Sequence, residues 1–175
     1  MNKKLVSYSV SNVDIEKYLG QGHIIKYADL VNFNTIDDIF GDYNFVIVLI
    51  ESKPNSGHWC CMLRYDNTIE MFDSYGGTID HELSFISKKM KDKLGENRNI
   101  LTELLNKSGH KVVVNKYKMQ SEQNHVDTCG KFVLLRIIMF LCANMQLKEF
   151  VNFVKTNAKK LKLSNDEFVC KCITF

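Results

Sequence analysis

The sequence predicts an α+β chain with a small central mixed β-sheet flanked by helices, and three observations carry that prediction. The branched, unbroken apolar run Phe45 to Ile50 has the length and composition of a buried central strand. Two further short strands, His58 to Tyr65 and Thr68 to Phe72, follow it across a turn at Asp66 and Asn67. In the stretch Cys129 to Met145, Phe132, Leu135, Ile138, Met139 and Cys142 recur at helical intervals, and the helix is apolar nearly all round, hence buried.

The other elements follow in chain order. Ser11 or Asn12 can cap a short helix through Leu19 that stops at Gly20, and Thr35 can cap a turn of helix through Phe40 before Gly41. The strand from Tyr43 to Ile50 leads into a loop from Ser52 to Gly57, which holds the only proline. Helical spacing returns over Asp80 to Lys93 and Ile100 to Lys107, with Gly95 and Gly109 as stops. His110 to Met119 alternates through Val112, Val114 and Tyr117 as a further strand. A helix over Leu147 to Lys160 and a short piece from Asn165 to Phe175 complete the chain.

At 175 residues and 45% hydrophobic content the chain can bury one sizeable core, so a single domain over residues 1–175 is expected. Its net charge of +3 comes from interspersed Lys and Asp/Glu, with no block that would mark a nucleic-acid surface. No run approaches the roughly 18 apolar residues of a membrane span, and Met1 to Val10 lacks the apolar core of a signal peptide. A soluble intracellular protein without membrane contact is expected. The six cysteines include the adjacent Cys60 and Cys61 and the helical Cys142, which suits free thiols in a reducing compartment better than a disulfide framework.

Three segments carry chemistry. Gly57-His58-Trp59 offers an imidazole, Phe72-Asp73-Ser74 a carboxylate, and Asp127-Thr128-Cys129-Gly130 a thiol. The reactive form of a thiol is the thiolate, so a catalytic cysteine needs a base and a local positive potential. Asp127 and Thr128 are capping residues that would place Cys129 in the first turn of the apolar helix, where free amides and the helix dipole favour a negative sulfur. If the strands bearing His58 and Asp73 are hairpin neighbours, the carboxylate can orient the ring and stabilise its protonated form. The Cys129 amide and a side-chain amide from Gln120 or Gln123 could receive the oxyanion of acyl transfer. Trp59 could wall the cleft and shield the His58–Asp73 pair from water.

These segments resemble the ubiquitin-like-specific and adenovirus-type cysteine peptidases, whose chain order is His-Trp, then Asp or Asn, then Gln, then Cys-Gly. That order is opposite to papain's. Gly57-His58-Trp59, Phe72-Asp73-Ser74-Tyr75-Gly76, Asn115 to Gln120 and Asp127-Thr128-Cys129-Gly130 look most like maturation proteases of virophages and large DNA viruses, and the similarity extends to the front-end pattern Ile24 to Phe40. The resemblance implies an adenain-like fold, with His58 as general base, Asp73 as its orienting acid and Cys129 as nucleophile. Family spacing points to Gln123 or Glu122 as the oxyanion residue, whereas the viral subgroup pattern and the strand end point to Gln120, which we favour. Thr128 separates Asp127 from Cys129 where many cellular members have Asp-Cys directly, so no role for Asp127 beyond capping carries over.

The implied activity is an endopeptidase that matures viral capsid or structural precursors, cutting after a small residue such as glycine. It would act as a monomer without cofactor or metal, in the host cytoplasm or viral factory, with packaging in the virion also allowed. An activating peptide or DNA is left open. Alternatives on the same parts are an isopeptidase acting on ubiquitin or SUMO-like modifiers, an acyltransferase, and a catalytically silent binding module. Cys60, Cys61, Cys170 and Cys172 with a histidine lack zinc-ligand spacing. One of Cys60 and Cys61 must face the core, leaving the other as a redox-sensitive candidate near the cleft. His23, His81, His110 and His125 read as solvated, with His125 a weak rival base, and Arg136 should meet a carboxylate.

Overall fold

A five-stranded sheet in the order β1-β2-β3-β4-β5 organises the computed structural model, which describes residues 6–20 and 23–175. The reading of Met1 to Val10 therefore falls partly outside the described residues. The strands are β1 (Ile24–Lys26), β2 (Phe45–Lys53), β3 (Ser56–Tyr65), β4 (Thr68–Phe72) and β5 (Lys111–Val114). The edge pairs β1/β2 and β4/β5 are parallel and the central pairs antiparallel, so the sheet is mixed.

Helices cover both faces, which is why β2 is apolar without alternation. Phe45, Ile47 and Leu49 face one cluster with Phe132, Leu134 and Phe150, while Val46, Val48 and Ile50 face another with Tyr27, Leu30, Ile39 and Leu101. The first face is covered by α1 (Asn12–Leu19), α5 (Cys129–Ala143), α6 (Leu147–Lys160) and α7 (Asn165–Cys172). The second is covered by the 3-10 helix Tyr27–Asn32, α2 (Ile36–Phe40) and the crossover from β4 to β5, which holds the 3-10 helix His81–Phe85, α3 (Lys88–Leu94) and α4 (Ile100–Lys107).

Local chemistry sets most boundaries. Ser11 caps α1 and Thr35 caps α2, each in a reciprocal box with the acid three residues on. The expected loop Ser52 to Gly57 is a tight hairpin: both strands run on to a turn at Pro54 and Asn55, where Asn55 takes a left-handed φ of 58°. The expected helix Asp80 to Lys93 is divided, because Asp80 is left-handed, Ile86 is extended, and Ser87 starts α3 afresh by accepting a bond from the Met90 amide. The strand expected to reach Met119 ends at Val114, since Asn115 turns its side chain onto neighbouring backbone. β1 is too short for its periodicity to show in sequence.

Arg136 is fully buried in α5 and meets Glu70 of β4 through two bonds of 2.7 Å. Cys60 and Cys61 are both fully buried on opposite faces of the doubly covered sheet, and burial pushes both thiols up. Neither is exposed as a redox-sensitive thiol. Among the described residues no single helix is long and apolar enough to cross a membrane.

Candidate active site

The sheet brings His58 and Asp73 together by register. Cys61 lies across from Phe72, and continuing that register puts Asp73 across from Cys60. His58 and Asp73 therefore share a face, and His58 Nε2 lies 2.8 Å from Asp73 Oδ1 with each side chain 11% exposed. Asp73 Oδ1 also accepts the Tyr75 amide at 2.8 Å, which fixes the carboxylate. The ring uses Nε2 toward Asp73, so Nδ1 is the nitrogen left for Cys129. Burial opposes the imidazolium, yet the Asp73 charge and hydrogen bond, together with the hydrogen bond and charge of Cys129, outweigh it and raise the His58 pKa well above its ordinary value.

Cys129 begins α5, where its amide has no partner within the helix. The capping expected of Thr128 is not made: its hydroxyl donates to buried Asp166 of α7 at 2.5 Å and makes no cap hydrogen bond to the helix. Asp127 is exposed and its amide donates to Val6 at 2.8 Å. Thr128 thus ties the helix start to α7, and Asp127 ties it to the chain near the N-terminus. Gly130 is required by closeness, since an added Cβ would lie 2.5 Å from Val10 Cβ and 3.1 Å from Trp59.

Two grooves meet at the thiol. One, of about 440 Å³, is lined by His58, Tyr75, His81, Glu82, Gln120 and Glu122; the other, of about 310 Å³, by Ser9, Val10, Lys26, Asn55 and Trp59. Gly57, Asp127 and Cys129 line both. Trp59 is therefore a cleft wall on the second groove, but it does not shield the His58–Asp73 pair. Adjacent residues on a strand face opposite ways, and the indole turns to the α5 side, donating to Val10 at 2.8 Å. Tyr75 does the covering, stacked on the imidazole at 4.9 Å and 18°. Burial first, and then the Cys129 sulfur, push the Tyr75 phenol up, keeping it a neutral hydroxyl.

Of the two glutamines, the structure brings only Gln120 to the cleft. Its oxygen accepts Ser74 Oγ at 2.7 Å, and its nitrogen donates to Tyr75 Oη at 3.2 Å and Val126 O at 3.1 Å. Gln123 is exposed and does not line the cleft, because the loop after Gln120 turns it to solvent; Glu122 lines the groove as an acid. His125 is exposed and outside the lining, whereas His81, although exposed, does line the groove. His23 and His110 are not simply solvated. His23 stacks on Tyr43 and bonds the Ile39 carbonyl, and His110 bonds Asp37 and Asn67.

Tyr75, Asn115 and Glu82 carry site geometry that the sequence did not assign. Asn115 donates to the Asp73 carbonyl at 2.6 Å, and the Met119 and Gln120 amides both donate to the Ser74 carbonyl at 2.9 Å. Gly76, with φ 75°, lets the Asp73 turn come so close that a Cβ would lie 2.9 Å from the Tyr117 backbone. Glu82 is 8% exposed and its Oε1 has no hydrogen-bond partner. Burial raises its pKa; His58 opposes that and Asp73 adds to it.

The arrangement is a thiol at a helix start facing an imidazole held by a buried carboxylate. No protein-family model matches the chain. It is 36% identical over 163 residues to "Uncharacterized protein V9" of Sputnik virophage, covering 92% of this chain and 91% of that one. The chain belongs to the family of that virophage protein. The solved central domain of the uncharacterized Lpg1148 protein from Legionella pneumophila covers 77% of this chain and is covered over 77% of its own, at TM-score 0.38 and 17% identity.

Proposed function

We propose that the chain is a cysteine endopeptidase of the adenovirus-type, ubiquitin-like-specific class that processes viral capsid or structural precursors. The observation that carries this reading is His58 set between Asp73, at 2.8 Å, and the Cys129 thiol at the start of a buried helix. His58 Nδ1 takes the thiol proton, Asp73 stabilises the resulting imidazolium, and the helix start favours the thiolate. The sulfur attacks the scissile carbonyl carbon. The oxyanion forms beside the Cys129 amide and Gln120, one of whose N–H groups exchanges Tyr75 Oη for it. His58 then protonates the leaving amine, and water attacks the thioester with His58 again as base.

Two grooves converging on one sulfur suit an extended chain that lies across Cys129, with substrate residues on either side of the scissile bond. Membership in the family of a virophage protein supports a viral setting for the activity. The test is incubation of the enzyme with candidate capsid precursors and mass spectrometry of the new termini. Discrete termini are expected with the native protein and none with Cys129→Ala or His58→Ala, both folded; the same termini from either variant overturn the reading. Labelling of Cys129 by a ubiquitin or SUMO probe would instead favour an isopeptidase.

A further inference from the structure

Glu82 has no role in the hydrolytic steps above, yet it is the most exceptional group in the cleft. It sits in the 3-10 helix His81–Phe85, more than nine-tenths buried, with Oε1 making no hydrogen bond. A buried carboxyl oxygen left so is costly, and such groups in folded proteins normally have a partner. Its surroundings indicate which partner would fit. One ligand atom each from His58, Asp73 and Glu82 lies within 4.8 Å of the others, and this is the cluster of metal-ligating side chains found among the described residues. With a neutral ring the three carry two negative charges in a largely water-excluded corner, and one imidazole with two carboxylates suits Zn²⁺.

We propose that His58 Nε2, Asp73 and Glu82 form a zinc site that silences the thiol. The silencing rests on the cysteine-peptidase reading; the site does not. The ion binds the Nε2 lone pair of the neutral ring, whose single proton moves through solvent from Nε2 to Nδ1, and the ion keeps a water in its fourth position. With its one proton on Nδ1 and its free lone pair on the metal, the imidazole has no lone pair with which to accept the proton of Cys129. Glu82 Oε1 gains the partner it lacks. A different arrangement, in which the metal bridges Nδ1 and the Cys129 sulfur, would be ordinary thiol capture and would leave Glu82 idle.

The two arrangements separate by calorimetric titration of the full chain with Zn²⁺ and by X-ray absorption of the loaded protein. One ion per chain is expected. Cys129→Ala keeps the affinity, while Glu82→Gln weakens it by about tenfold or more, since even loss of an outer partner of a zinc ligand costs that much. Glu82→Ala, checked alongside by thermal melting, guards against a misfolded variant. The absorption spectrum should show nitrogen and oxygen near about 2.0–2.2 Å and no sulfur near about 2.3 Å. Loss of binding in Cys129→Ala, a sulfur shell, native affinity in folded Glu82 variants, or no binding to the native protein would each overturn the site. These readouts need no substrate, so they stand or fall apart from the peptidase reading. Zinc bound at this site without inhibition of a measured cleavage would overturn the silencing alone.

Discussion

Breaking the ion pair between Glu70 and Arg136 should cost more than removing any surface pair of the chain. Both residues are fully buried, and the guanidinium makes two bonds of 2.7 Å to the carboxylate and a third of 3.0 Å to the Met145 carbonyl. It also lies over Phe150, 5.3 Å from the ring centroid. Glu70→Gln leaves that cation buried without a counter-charge, a change that costs about 3–5 kcal/mol. At about 2–4 °C per kcal/mol for a chain of this size, the melting temperature should fall by roughly 6–20 °C. Urea unfolding at constant m gives the free energy directly. Glu70→Leu combined with Arg136→Met should recover most of the loss, because removing both charges is often near neutral. The pair also fastens β4, which leads into Asp73, to the helix that starts at Cys129, so Glu70→Gln should slow cleavage below its own melting range. A cost under about 1 kcal/mol, the range of exposed pairs, would refute the reasoning.

Three further outcomes are expected. Asp73→Asn removes the charge that raises His58, so the imidazolium is lost at lower pH and the alkaline limb of the pH–rate profile moves down; an unmoved limb would show that Asp73 does not set it. Glu96 is fully buried and burial pushes its pKa up to about 7, so the fold favours its protonated form. That contribution is full below the ordinary value of 4.5 and is lost as pH rises through about 7. Stability should therefore fall by about 3 kcal/mol over that window, and Glu96→Gln should flatten this part of the curve in urea titrations at pH 5 and 8. At Gly57 a Cβ would lie 1.9 Å from the Ile50 carbonyl oxygen, so Gly57→Ala should destabilise by at least about 3 kcal/mol and displace His58, read as a lower melting temperature and lost cleavage.

What could be read from the sequence was what a pattern encodes locally. The apolar helix announced itself because Gly130 to Ile137 are buried on every side, although its last turn, with Leu141 and Cys142, is exposed, and Cys129 at its start followed from that. The capping boxes of α1 and α2 were equally plain, since both partners lie within one turn. Parity along β3 could have placed Trp59 away from the His58–Asp73 pair: if His58 faces one side, its neighbour faces the other. No comparable signal marked Glu82, which sat in an apparently continuous helical stretch whose break depends on the left-handed Asp80 and extended Ile86. Thr128 illustrates the same limit. Its capping propensity was real, but Asp166, distant in sequence, offered its hydroxyl a buried acceptor. Local preference gave way to a tertiary bond.

These long-range bonds change what the site motifs mean. Asp73-Ser74-Tyr75-Gly76 and the segment 115–120 look like separate runs, yet Asn115 holds the Asp73 carbonyl, the Ser74 hydroxyl holds Gln120, and Gly76 exists to let Tyr117 approach. Tyr75 closes the circle by stacking on His58 while its hydroxyl accepts from Gln120. The carboxylate that orients the base and the amide proposed for the oxyanion are therefore positioned by one network, and neither can move without the other. Substitutions at Ser74 or Asn115, which touch neither thiol nor substrate in the proposed mechanism, should consequently behave as site mutations: the base and the oxyanion donor would be disturbed together, and their effects with Asp73→Asn should be non-additive.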